Sequence, residues 1–168
     1  MVSNYPIRNT IRIVLLNDKN ELLLMHIDDP RTRSIGKKYN GSFWVTVDGQ
    51  IEQNETVRKS AVRELFEETG ITSTEVTFGP VIWLRELDLV LYGKPVHIKE
   101  QYILARTNKR VVFPTHLTTD EVDIIKKIQW FSYKDIVSCR ETIYPVKLTK
   151  LIKGIFAEKY PKKPIKII

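Results

Sequence analysis

The sequence predicts one domain of the α/β class, and three observations carry that expectation. The chain has 168 residues, 42% hydrophobic and 28% charged, a size and balance that suit a single domain with a sizeable core. Runs with the two-residue alternation of strands are interleaved with runs of helical period. Gly, Pro, Asn and Asp fall between those runs, where turns are needed. The domain is expected over residues 1–160, followed by a basic tail over 161–168 whose sequence, PKKPIKII, predicts fraying.

Ile11 to Leu16 and Glu21 to His26 are apolar runs joined by Asn17-Asp18-Lys19-Asn20 and read as a β-hairpin. Asp28 to Gly41 is polar and basic, a loop of functional length. Ser42 to Val47 alternates as a strand, which Asp48-Gly49 is expected to end. Val57 to Thr69 has helical period, with Val57, Ala61, Val62, Leu65 and Phe66 as its expected core stripe and Gly70 as a left-handed residue closing it. Val81 to Tyr92 and Val96 to Arg106 flank Gly93-Lys94-Pro95 and predict a long hairpin. Thr118 to Lys127 reads as a short capped helix, Ile128 to Phe131 as a strand, and Ser132 to Val137 as a helical turn. Pro145 to Lys159 is a last amphipathic helix, with Leu148, Leu151, Ile152 and Ile155 on one face.

Chemistry concentrates on the 57–69 helix. Glu64, Glu67 and Glu68 are spaced i, i+3, i+4, which stacks three carboxylates on adjacent turns of one face. Like charges at that spacing repel by roughly 0.2–0.5 kcal/mol per pair, and a helix C-terminus disfavours acids. A solvated acidic face and a site for a hard divalent cation both fit these three residues.

The wider segment Gly49 to Ile71 reads GQIEQNETVRKSAVRELFEETGI. Gly49, Glu55, Arg63, Glu64, Leu65, Glu67, Glu68, Gly70 and Ile71 occupy every fixed position of the box that defines the Nudix hydrolases, so the chain resembles that family. The resemblance implies an α/β/α sandwich with a mixed β-sheet and, as activity, hydrolysis of a nucleoside diphosphate linked to a further group. It implies Mg2+ as cofactor, with Mn2+ as a substitute, held by Glu64, Glu67, Glu68 and the carbonyl of Gly49. Arg63 would orient a glutamate, and Glu55 would support the loop–helix junction or an outer-sphere water. The water-activating base differs among relatives; Glu121 is the first candidate outside the box and Glu100 the second. Asp48 departs from the glycine usual before the box and brings one more carboxylate to it.

For substrate contacts, Arg31, Arg33, Lys37 and Lys38 of the basic loop are candidates to meet phosphates, and a plain exposed loop fits them equally. Phe43, Trp44, Trp83, Tyr102 and Trp130 are the aromatics that could stack on a base, with core packing expected for most of them and Phe43 kept as the candidate. The markers of the ADP-ribose, dinucleoside-polyphosphate and coenzyme A subgroups are not evident. A nucleoside triphosphate, canonical or oxidised, is left by elimination. Two other readings stay open: a non-catalytic nucleotide sensor and an RNA-directed, decapping-type protein.

The RNA reading rests on charge. The net charge is +7, and residues 147–168 hold seven lysines against Glu158. A solvated helix face explains such lysines as well as a nucleic-acid contact through Lys147–Lys166 does. His26, His97 and His116 are isolated, so nucleophilic triad chemistry is not expected. One cysteine, Cys139, excludes an internal disulfide framework and suits a reducing compartment. No signal peptide is evident in MVSNYPIRNT and no run is long enough to span a membrane. A cytoplasmic monomer or homodimer acting on a small nucleotide, without a membrane partner, is therefore expected.

Overall fold

The structure, a computed structural model, describes residues 3–168; Met1 and Val2, the first residues of the expected domain, lie outside it. Among the described residues the elements run β1 (Ile7–Leu16), β2 (Leu22–Ile27), β3 (Arg33–Ser34), β4 (Phe43–Val45), β5 (Val47–Gln50), α1 (Val57–Thr69), β6 (Val76–Leu91), β7 (Lys94–Thr107), α2 (Thr119–Ile124), β8 (Ile125–Phe131), α3 (Tyr133–Ser138), β9 (Thr142–Ile143), α4 (Leu148–Phe156) and β10 (Ile165–Lys166).

All ten strands form one mixed sheet in the order β10-β6-β7-β1-β2-β4-β9, with β3 on β6, β5 on β1 and β8 on β2. The pairs β1–β7, β4–β9 and β6–β10 are parallel and the others antiparallel. The sheet separates two apolar cores. Ile11, Ile13 and Leu15 of β1 point to one face, where Ala61 and Leu65 of α1 cover them. Val14 and Leu16 point to the other, under Ile136 of α3 and Leu148, Ile152 and Ile155 of α4. This is the α/β/α sandwich with a mixed sheet.

α3 and α4 cover only part of their face. The β1 side chains that precede Val14 with the same parity are Arg8, Thr10 and Arg12, and they line a cavity. Along β7, Ile98 and Glu100 line it before Tyr102 and Leu104 enter the core. One strand face thus serves as core at one end and as pocket floor at the other.

Several boundaries differ from the sequence reading. Asp48-Gly49 does not end a strand; both residues lie inside β5, which pairs with Thr10 to Ile13 of β1. The expected 118–127 helix stops at Ile124, and the chain passes directly into β8, whose pairing with β2 outweighs further helix. Phe66 is not in the core but 37% exposed, lying against the His116 ring; Glu64 and Glu68 are buried instead. The tail expected to fray adds β10 to the sheet beside Trp83 and Leu84, because Ile167 packs onto the second core. No described helix is long and apolar enough to cross a membrane.

Candidate active site at the edge of strand β5

α1 starts where Thr56 accepts the Lys59 N–H and ends at Gly70, whose φ of 75° is the left-handed conformation glycine adopts without strain. The segment after β7 closes its C-terminus: the N–H groups of Thr115 and His116 donate to the Glu67 carbonyl at 2.9 and 3.0 Å. These contacts fix the turn that carries the glutamates.

Arg63 organises them. Its Nε and Nη2 donate to the two oxygens of Glu55 at 2.8 and 2.9 Å, a fork-to-fork pair. Nη2 also reaches the Gln50 carbonyl at 2.9 Å, and Nη1 donates to Glu64 Oε1 at 2.5 Å and to Glu67 Oε2 at 3.4 Å. Glu55 therefore holds Arg63, which in turn holds Glu64. The i, i+4 pair with Glu67, expected from the spacing, is the longest of these contacts.

Glu64 lies against β5. A Cβ at Gly49 would overlap the Glu64 carboxylate, so only glycine lets the strand pass this close. Burial lifts Glu64 to about 7 against the pull of Arg63. Glu68 is held well above the ordinary carboxylate range by burial, then by the charges of Asp48, Glu64 and Glu121; its Oε2 accepts the Asp48 N–H at 3.3 Å. Glu67, 33% exposed at the side chain, is the accessible member.

Asp48 belongs to two environments. Its backbone meets Glu68, while its side chain turns to the other side of β5, lines the cavity and pairs with Arg12 at 3.2 Å. Burial raises its pKa against the opposing pull of Arg12 and Arg8. The cavity holds about 330 Å³. Leu87, Leu89 and Leu91 of β6 and Phe43, Tyr39, Tyr92 and Tyr144 give it apolar and aromatic walls, and Arg33, Lys37 and Lys38 give it a basic rim.

The sequence-derived candidates divide accordingly. Gly49, Arg63, Glu64, Glu67 and Glu68 gather at the β5 edge, and Arg33, Lys38 and Phe43 line the cavity. Arg31 does not line it, being engaged with Asp29 at 3.0 Å and Asp120 at 3.4 Å. Glu121 Oε2 accepts the Thr118 N–H at 2.7 Å in a capping box, although its charge reaches Glu68 and Asp48. Glu100 is engaged by other groups: burial raises its pKa, but Arg12, Arg85 and Tyr102 outweigh that and hold it at about 2. Trp44, Trp83 and Tyr102 are buried in the second core, and Trp130 donates to the Arg110 carbonyl. The sequence reading missed Arg8, Thr10, Arg12 and Arg85; polar residues at alternate positions of an otherwise apolar strand were the available signal for the first three.

Among the described residues, no three acidic, histidine or cysteine side chains converge tightly enough to enclose a metal ion as they stand, Arg63 lying between Glu64 and Glu67. The donor set nonetheless fits a hard divalent cation. Its members are oxygens, and two buried carboxylates, Glu64 and Glu68, are forced toward protonation, with Arg63 in contact with Glu64 and no cation in contact with Glu68 among the described residues.

The fold is shared with solved structures. The chain is similar in structure to the MutT protein from Methanosarcina mazei Go1, with 21% identity, a TM-score of 0.60, and 96% of this chain and 100% of that one covered. It is similar to the E. coli dihydroneopterin triphosphate pyrophosphohydrolase, at 17% identity and a TM-score of 0.63, over 91% of this chain and 99% of that one. It is also similar to a C. elegans Ap4A hydrolase, at 18% identity and a TM-score of 0.59, over 90% and 98%. The family model of the NUDIX domain matches residues 6–151. The chain belongs to the NUDIX domain family, the pyrophosphohydrolases that act on phosphoric anhydride bonds.

Proposed function

We propose that this protein hydrolyses a phosphoric anhydride bond in a nucleoside diphosphate-linked substrate, most simply a nucleoside triphosphate, with Mg2+ or Mn2+ as cofactor. One observation carries the reading: Asp48 joins the acidic edge of α1 to the cavity, touching Glu68 through its backbone and lining the cavity with its side chain. A substrate with a ring in the cavity and a polyphosphate over β5 spans the two.

Glu64, Glu67, Glu68 and the Gly49 carbonyl would hold the metal. A bound divalent cation neutralises phosphate oxygens and lowers the pKa of a bound water. Arg63, fixed by Glu55, keeps Glu64 oriented toward Gly49. Glu67, the most exposed of the three glutamates, is the one to take a proton from the attacking water, through Oε1 because Oε2 faces Arg63. Its share in holding the metal is then secondary to that of Glu64, Glu68 and Gly49. Glu121 is the second candidate, favoured by its charge reaching Glu68 and disfavoured by its capping role. Arg33 and Lys38 on the rim attract phosphate charge, and Phe43 packs against the ring. The single free cysteine suits a reducing, cytoplasmic setting.

The test is phosphate and pyrophosphate release from canonical and oxidised nucleoside triphosphates, sugar nucleotides, dinucleoside polyphosphates and capped RNA, with Mg2+ or Mn2+. Metal-dependent turnover that disappears in Glu67→Gln is the expected result. Binding without turnover across the panel overturns it in favour of a nucleotide sensor.

A further inference from the structure

The cavity floor offers several hydrogen-bond donors and, on its charged groups, one free acceptor, the Asp48 oxygen that does not meet Arg12. Glu100, 2% exposed, is engaged at both oxygens: Oε1 accepts from Arg12 Nε at 2.9 Å, with Arg12 Nη2 an ion-pair contact at 2.9 Å, and Oε2 accepts from Arg85 Nε at 2.6 Å and the Tyr102 hydroxyl at 2.9 Å. Arg85 is 8% exposed and lines the cavity, yet its two Nη atoms meet no hydrogen-bond partner among the described residues. Thr10, 2% exposed and level with Glu100 across the β1–β7 ladder, has a hydroxyl likewise without a partner. The Nη atoms are open to the cavity and not sealed in the interior, so acceptors on a ligand can take the place of water on them.

The surroundings say which acceptors. The positive charges of Arg12 and Arg85 are matched by Glu100 and Asp48, and Leu87, Leu89 and Leu91 continue along the same face of β6 beyond Arg85. Arg8 adds one charge whose partner is the neutral Gln50, so the floor keeps a small positive excess; between apolar and aromatic walls it suits a planar ring rich in acceptors, and the basic rim serves the phosphates. A planar fork of two N–H groups pairs with two adjacent acceptors, as arginine does with O6 and N7 of a 6-oxopurine. A 6-aminopurine would turn an N–H group of its own toward the guanidinium.

We infer that the cavity is the ring-recognition pocket of the reaction proposed above and that Arg85, across Glu100 from Thr10, selects a 6-oxopurine nucleotide over a 6-aminopurine one. This rests on the proposed function, which leaves the base open. Arg85 is then the specificity-determining residue, and its effect belongs in binding and KM more than in kcat.

The experiment compares GTP, ITP, 7-deaza-GTP and ATP on the intact protein with Mg2+, measuring KM and kcat by turnover and Kd by equilibrium binding with Ca2+ in place of Mg2+. GTP and ITP should bind at least about tenfold more tightly than ATP, and loss of N7 in 7-deaza-GTP should cost about fivefold or more. Arg85→Lys, which keeps a cation against Glu100 but lacks the fork, should bring the GTP-to-ATP ratio in Kd to within about twofold. Thr10→Val, close in shape, should narrow it less. The 7-deaza comparison needs no variant, so a misfolded Arg85→Lys leaves the inference exposed to refutation. Turnover with equal KM for all four nucleotides overturns the ring selection and spares the hydrolase reading. Selective binding without turnover does the reverse, and neither binding nor turnover overturns both.

Discussion

At the scale of single residues, Gly49 and Glu64 form the most constrained contact in the site. Gly49 does not have a positive φ, so its requirement is for space and not for backbone freedom. In Gly49→Ala the new methyl would lie where the Glu64 carboxylate now sits, and Glu64 must leave Arg63 or β5 must move. The expected outcome is a fall of about tenfold or more in Mn2+ affinity, read by titration, with an unchanged circular dichroism spectrum; unchanged affinity would remove Glu64 from the ligand set. Glu67 and Glu121 separate just as sharply. Glutamine preserves a capping box, so Glu121→Gln should keep kcat within about threefold, whereas Glu67→Gln should lose 10² to 10⁴, on the scale of general-base catalysis. Equal losses would return Glu121 to the chemistry. The box was legible in the sequence because its members lie within 23 residues and their spacing encodes one helix face. The cavity floor was not, because Arg12 and Arg85 come together only through β1–β7 and β6–β7 pairing, which no local pattern records.

At the scale of elements, β1, β7 and β6 are cross-linked by Arg12, Glu100 and Arg85 beneath the cavity. Such a buried network does little for net stability when intact but is costly to break. It also has a pH signature. Burial alone would raise Glu100, yet the two arginines hold it at about 2 against an ordinary 4.5. A carboxylate lowered on folding contributes stability that is complete above 4.5 and disappears as pH falls toward 2, about 3 kcal/mol in all. Urea midpoints measured between pH 5 and pH 3 should therefore fall in the wild type and change less in Glu100→Gln, which begins from lower stability. Parallel curves would mean that Glu100 is not the titrating group. The helical elements were read well from local signals: α1 is bounded by Thr56 and Gly70, and the α4 face buries Leu148, Ile152 and Ile155. The strands were read less well. β5 contains the Asp48-Gly49 pair that would ordinarily signal a turn, because pairing with β1 and the approach of Glu64 favour glycine there for reasons outside its own segment.

At the scale of the whole molecule, the two faces of the sheet divide the work. α1 and its carboxylates cover one face, and α3, α4 and the cavity share the other. The C-terminal segment belongs to the second face, where β10 lies beside Trp83 and Leu84 and the Ile167 N–H donates to the Leu84 carbonyl at 2.8 Å. Its composition, proline- and lysine-rich, concealed this, since one half-buried isoleucine and a few backbone hydrogen bonds are enough to dock it. Removing residues 161–168 should cost about 2 kcal/mol, from partial burial of Ile167 and the lost backbone bonds, seen as a lower urea midpoint. Because the glutamates lie on the opposite face, kcat should stay within about twofold. The deletion also takes away Lys162, Lys163 and Lys166, nearly half of the lysines in the 147–168 segment. If those lysines served nucleic acid, the truncated protein would lose RNA affinity, and the dependence of that affinity on salt would become shallower by roughly one unit of log–log slope per phosphate contact removed. A solvated face predicts weak RNA binding in both proteins, with no difference in slope. A drop in kcat larger than the loss of stability explains would mean instead that β10 braces Arg85 through the neighbouring Trp83 and Leu84, tying the tail to the cavity floor and not to a separate partner.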